Sequence, residues 1–204
     1  MAHLLHLDSS PRGDRSISRM LAKTFVQHWQ TAHPDSTITY RDIGHYPVPF
    51  ITEEWIAASF TPAEQHTPEL AEAIRLSNEL IDEFLAADCY VFSIPMYNFG
   101  IPANFKAYVD QIVRAGRTFT IDETGYKGLV HGKKAIFILA QGGTYPEGSP
   151  AQSYDLQTPY LKLVFGFMGV TDIEFVYADN LMDKGEEREQ AIASAQARLQ
   201  ALAS

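Results

Sequence analysis

Ser10, Ser16 and Ser18 punctuate a polar stretch, Asp8-Ser9-Ser10-Pro11-Arg12-Gly13-Asp14-Arg15-Ser16-Ile17-Ser18, that ends where a helical pattern begins. Hydroxyls around a helix start can donate to a phosphate, together with the unpaired first-turn N–H groups and the helix dipole. Arg12 or Arg15 could add charge. Simple capping by Ser16 or Ser18 is the alternative; it explains one serine but not the long polar stretch. A second segment, Pro95-Met96-Tyr97-Asn98-Phe99-Gly100-Ile101-Pro102-Ala103, sets an amide between two aromatic rings in a turn shaped by glycine and proline. A flat ring such as an isoalloxazine needs apolar contact on its faces and donors and acceptors at its edge, and Asn98 can both donate and accept. A plain turn with its aromatics folded into the core is the alternative. In a third segment, Ala140-Gln141-Gly142-Gly143-Thr144-Tyr145, paired glycines permit close backbone approach and positive φ. Their N–H groups could face a carbonyl edge that gathers negative charge on reduction; here too a plain turn is the alternative.

These segments gain meaning from the elements around them. Residues 3–7, 90–94, 135–140 and 173–177 read as buried strands, short and aliphatic or aromatic with polar or turn residues at their ends. Residues 37–40 alternate, as an edge strand does. Helical spacing marks residues 17–31, 67–86, 104–113, 154–168 and 184–203, with Thr67-Pro68 as a start signal. Strands alternating with helices predict one α/β domain over residues 1–204, a doubly wound five-stranded parallel sheet of flavodoxin-like order 2-1-3-4-5 with helices on both faces. In such a sheet the ligand lies beyond the carboxyl ends of the strands at the switch point, here the loops after Leu7, Ile94 and Ala140. These are the three segments above.

Composition narrows the rest. Apolar residues make up 46% and charged residues 20% of 204, ordinary for a globular chain. The net charge of −9 disfavours nucleic acid as a partner but not a single phosphorylated cofactor. The longest apolar runs fall far short of the roughly 20 residues of a membrane span, and no signal peptide is expected, because Asp8, Arg12 and Asp14 interrupt the start. Cys89 is the sole cysteine; it reads as a buried small hydrophobe, a cytoplasmic location is expected, and no metal is expected from the spacing of the seven histidines. Gly128-Leu129-Val130-His131-Gly132-Lys133-Lys134 is not a P-loop: it is one residue short, lacks Ser or Thr after the lysine and precedes a strand. Neither GxGxxG nor GxSxG occurs.

Several stretches carry a family resemblance: Pro95-Met96-Tyr97-Asn98-Phe99, Ile101-Pro102-Ala103-Asn104-Phe105-Lys106, Tyr108-Val109-Asp110 and Arg114-Ala115-Gly116-Arg117-Thr118-Phe119. Gly128-Leu129-Val130, Thr158-Pro159-Tyr160-Leu161 and Gly166-Phe167-Met168-Gly169-Val170-Thr171-Asp172 extend it over nearly the whole chain. The chain resembles the FMN-dependent NADH azoreductases, bacterial quinone reductases of flavodoxin-like fold. The resemblance implies FMN with its phosphate at Ser10, Ser16, Ile17 and Ser18. It implies the ring at Pro95, Met96, Tyr97, Asn98 and Phe99, and at Ala140, Gln141, Gly142 and Gly143. Some relatives have arginine where this chain has Gln141. It further implies a homodimer and two half-reactions at flavin N5: NADH delivers a hydride, then a quinone or an aromatic azo compound takes it. No catalytic acid–base side chain is then needed. Phe99, Phe119, Tyr126 and Tyr145 are expected to wall the substrate. A single-electron flavodoxin-type carrier is the alternative, although its Thr/Ser-Gly-rich phosphate loop differs from residues 10–18. A receiver-type module is disfavoured because Ile94-Pro95 stands where its phosphoacceptor would be.

Overall fold

The structure, a computed structural model, describes residues 2–203. Five parallel strands form the main sheet: β1 (His3–Asp8), β2 (Thr37–Asp42), β3 (Cys89–Pro95), β6 (Lys134–Ala140) and β7 (Asp172–Ala178). Their order is β2-β1-β3-β6-β7, the expected 2-1-3-4-5 when the strands of this sheet are counted alone. The central strands are apolar almost throughout because both faces are covered. Side-chain alternation divides them: Leu5, Tyr90, Phe92 and Phe137 join one buried cluster, Leu4, Val91, Ile136 and Ile138 the other. Helices α3 (Pro68–Ala86), α4 (Ala103–Ile112) and α5 (Gln157–Met168) cover the first face; α1 (Ile17–Ala32) and α6 (Glu186–Leu202) cover the second.

Local chemistry sets the helix ends. Thr67 Oγ1 accepts from Leu70 N, and Pro68 occupies the first helical position, where its missing N–H costs nothing. Gly169, at φ 102°, closes α5 in the left-handed conformation. The helix expected over residues 154–168 is divided: Pro150–Tyr154 forms a 3-10 turn, and the Asp155 carboxylate accepts from the N–H groups of Gln157 and Thr158, restarting the chain as α5.

Two elements differ from expectation. Residues 53–60, to which the sequence pattern assigns no element, form a short helix, α2 (Glu53–Phe60), carrying Trp55 and Phe60. Phe119 and Tyr126, in a stretch that is also assigned no element, lie on an antiparallel hairpin, β4 (Phe119–Asp122) and β5 (Gly125–Gly128). An eight-residue helix and four-residue strands are too short to impose a readable period.

Cys89 is 3% exposed at the start of β3, and burial pushes its thiol up to about 12. Native protein should therefore resist iodoacetamide at neutral pH and take up one equivalent only when unfolded, as read by mass spectrometry.

Candidate functional site

The loops after β1, β3 and β6 meet at the C-terminal edge of the sheet, at the switch point of this strand order. The first loop is anchored from several sides. Ser9 donates to the Ser93 carbonyl through both its N–H, at 3.2 Å, and its hydroxyl, at 2.8 Å. Asn104 Nδ2, in the first turn of α4, donates to the carbonyls of Ser9 at 2.8 Å and Ile43 at 2.9 Å. Ser16 caps α1, accepting from Arg19 N at 3.4 Å, and its hydroxyl lies 3.1 Å from that of Ser18. The cap and the polar cluster thus coexist in one serine. Ser10, Ser16 and Ser18 are buried, whereas Arg12 and Arg15 are exposed. The N–H groups of Ile17 and Ser18 have no acceptor among the described residues.

The loop after β3 is a tight turn. Tyr97 N donates to the Gly100 carbonyl at 3.0 Å and Gly100 N donates back at 3.1 Å. Asn98 and Phe99 both have positive φ, 49° and 71°, the pattern of a type I′ turn. Asn-Gly suits that turn; phenylalanine in a left-handed conformation costs about 1–2 kcal/mol. Strain of this kind collects at ligand-facing turns. Phe99 is exposed, with its ring centroid 5.3 Å from that of Tyr154. Phe99→Gly should leave the melting temperature unchanged or slightly raised, because strain relief offsets the lost ring contact of about 0.5–1.5 kcal/mol, while catalytic efficiency falls severalfold. A melting point several degrees lower would mean that Phe99 serves packing.

In the loop after β6, Leu181 N, Met182 N and Asn180 N donate to the carbonyls of Gln141, Gly142 and Gly143. In a trans peptide the next N–H points away from its carbonyl, so those of Gly142 and Gly143 face the other way, and neither has an acceptor among the described residues. The same holds for the N–H groups of Asn98 and Phe99. Gln141 presents only backbone here. Its buried side chain donates to Gln157 Oε1 at 3.3 Å, and Gln157 Nε2 donates to the Pro95 carbonyl at 3.2 Å. Pro95 closes β3, and Met96 N donates to the Ala140 carbonyl at 2.8 Å, tying the second loop to the third.

Beneath the first loop lies a charged cluster that the sequence did not reveal. Asp8 Oδ1 accepts from Ser93 Oγ at 2.6 Å and lies 3.2 Å from His6 Nε2, while Oδ2 accepts from Tyr40 at 2.9 Å. Burial alone would raise the Asp8 carboxyl, but the His6, Ser93 and Tyr40 contacts hold it below the ordinary range. Asp42 is held low by Arg19 against the same burial effect. Burial beside these carboxylates pushes the Tyr40 phenol up. Arg19, on the surface side of α1 by sequence, carries no signal of this role; only the fold brings it beneath the loop.

The structure gathers Phe99 and Tyr145 at this edge of the sheet. Phe119 and Tyr126 are elsewhere: they cluster with Phe167, with centroids 4.7–6.1 Å apart, on the hairpin that leads into the start of β6. A seven-residue strand, about 23 Å long, separates the two ends. Among the described residues no group of His, Cys, Asp or Glu could hold a metal, and no helix is long and apolar enough to cross a membrane.

A family model described as flavodoxin-like fold matches residues 2–203. The FMN-dependent NADH:quinone oxidoreductase of Nostoc punctiforme is 58% identical, over 98% of this chain and 97% of its own. An azoreductase from Bacillus anthracis superposes with a TM-score of 0.91 at 29% identity, covering 100% of this chain and 99% of the other. The FMN-dependent NADH-azoreductase of the same species, solved in complex with FMN, gives 0.88 at 27% identity and covers both chains fully.

Proposed function

This chain belongs to the flavodoxin-like family that includes the FMN-dependent NADH:quinone oxidoreductases, and from that membership we propose that it uses NADH to reduce quinones and reductively cleaves aromatic azo compounds. One observation carries the reading. Six backbone N–H groups, of Ile17, Ser18, Asn98, Phe99, Gly142 and Gly143, have no acceptor among the described residues and lie on three loops that converge at the switch point. A phosphorylated ring with carbonyl and nitrogen acceptors along its edge matches that donor set.

Ser10, Ser16, Ile17 and Ser18 hold the FMN phosphate. Met96, Tyr97, Asn98 and Phe99, with Pro95 behind them, and Gly142 and Gly143, framed by Ala140 and Gln141, hold the ring. When bound, FMN supplies at N5 the atom that takes hydride from NADH and gives it to the acceptor. The protein binds, orients and screens; no side chain needs to act as acid or base. Phe99 and Tyr145 offer apolar faces to a flat substrate, each offset-stacked ring contributing about 0.5–1.5 kcal/mol.

The remote position of Phe119 and Tyr126 favours a homodimer in which a second copy brings its hairpin to this site. Tyr126 is 67% exposed and Leu163, on neighbouring α5, 73%, side chains suited to such an interface. The cell interior, where NADH is available, is the proposed location.

Steady-state kinetics of FMN-loaded protein with NADH and a quinone or azo dye tests the reading. Parallel double-reciprocal lines are expected, since both substrates take turns at one face. Intersecting lines would overturn the shared-face scheme, and failure to oxidise NADH without a protein partner would favour a single-electron carrier. Sedimentation should give twice the mass of one chain, and Tyr126→Lys should shift it toward the single-chain value.

A further inference from the structure

Arg19 joins four of the segments around the serine loop through one side chain. Its Nε donates to the Ser10 carbonyl at 2.8 Å. Its other nitrogens donate to Asp42 in a bidentate pair, with Nη1 at 2.8 Å from Oδ2, and Nη1 reaches Asp8 at 3.4 Å and Tyr40 at 3.3 Å. His45 Nδ1 lies 3.5 Å from Nη2. One planar guanidinium thus joins the end of β1, the loop that follows it, the end of β2 and the turn after β2. A Cβ on Gly44 would fall 2.5 Å from Arg19 Nη2, so that turn is closed down on the guanidinium.

The charge of Arg19 is not free for a ligand. Two carboxylates, Asp8 and Asp42, face it, so the guanidinium together with its partners carries no excess positive charge. Such a cluster does not attract a phosphate by its field. What it can do is hold Ser10 in place, because a fork with fixed geometry positions an acceptor where a flexible ammonium does not.

We propose that Arg19, clamped by Asp42 and Asp8, is a positioning residue that sets the serine loop for the phosphate of FMN through the Ser10 carbonyl. This rests on the reading of residues 10–18 as the phosphate site. The effect is therefore confined to ligands that carry a phosphate. FMN and riboflavin share the ring and differ in that group, so the ratio of their dissociation constants isolates the loop from the ring site and from overall stability.

The experiment titrates apo-protein with each flavin, following quenching of flavin fluorescence, in wild type, Arg19→Gln and Arg19→Lys. Wild type should prefer FMN. Both variants should lose FMN affinity by tenfold to about a hundredfold, the scale of one lost hydrogen bond to a charged group, with riboflavin affinity within twofold of wild type. Lysine should not rescue, since it keeps the charge and loses the fork. Full rescue by lysine, an equal loss for both flavins, or no loss for either would each overturn the proposal. If the Arg19 variants do not fold, Asp42→Asn, which frees one side of the clamp and leaves Arg19 paired with Asp8, should show the same phosphate-specific loss in smaller measure; an unchanged ratio there overturns it. A wild type with no preference for FMN would strike the phosphate-site reading itself.

Discussion

With alanine at both Ser16 and Ser18, FMN affinity is expected to fall by roughly two to four orders of magnitude. A hydrogen bond to a charged group contributes about 1.5–3 kcal/mol, so losing two costs about 3–6 kcal/mol, and each 1.4 kcal/mol is tenfold in affinity. The two hydroxyls, 3.1 Å apart and buried, have each other as close side-chain partners and, among the described residues, are otherwise engaged only with the 3.4 Å cap bond from Arg19 N. Removing both leaves no orphaned acceptor in the fold. The cap is lost, which costs about 1 kcal/mol of stability, equivalent to about 2–4 °C in melting temperature for a chain of this size. Binding and melting thus report separately. A variant that melts lower yet binds FMN as wild type does would reduce both serines to capping.

Alanine at Gly44 should disable the same loop without removing any donor. Its Cβ would stand 2.2 Å from the Ser10 carbonyl oxygen and 2.6 Å from the Ser10 carbonyl carbon. An ordinary carbon–oxygen approach is about 3.3 Å, so two backbones must part by about 1 Å. Overpacking of this kind costs about 1–3 kcal/mol, and the displaced loop, with at least one hydrogen bond to the phosphate lost, should bind FMN about tenfold to a hundredfold more weakly. Gly142→Ala is the contrasting case. There the added Cβ meets only the Met182 side chain, at 3.0 Å from its Cγ, and a flexible methionine can yield. Thermal melting of both variants tests the packing, and flavin titration of Gly44→Ala tests the site, since Gly142 itself is placed at the ring. Wild-type FMN affinity in Gly44→Ala would mean that the approach of the β2 turn to Ser10 has no bearing on the site.

Much of the fold was legible because its signals are local. The apolar runs of β1, β3 and β6 follow from burial on both sheet faces, and the period of α1 and α3 follows from one buried stripe on each. Thr67-Pro68 announced a helix start that the structure places there. The short elements were not legible: α2 and the β4–β5 hairpin hold too few residues for a period, and their stability comes from packing. Gly128 shows why, since a Cβ there would meet Gly169 N at 2.3 Å, a closeness between hairpin and helix end that no pattern encodes.

The candidate site divides along the same line. Ser10, Ser16 and Ser18, the turn at Asn98-Phe99 and the paired glycines declared themselves by residue type, because helix starts and tight backbone approaches demand those types. That they meet is decided by strand order, which brings together loops some 40 to 130 residues apart. Arg19, Asp8, Asn104 and Gly44 stayed hidden for a physical reason. A charged or amide side chain on a helix reads as solvated until the chain folds over it, and a glycine shows its need for space only once another backbone lies against it.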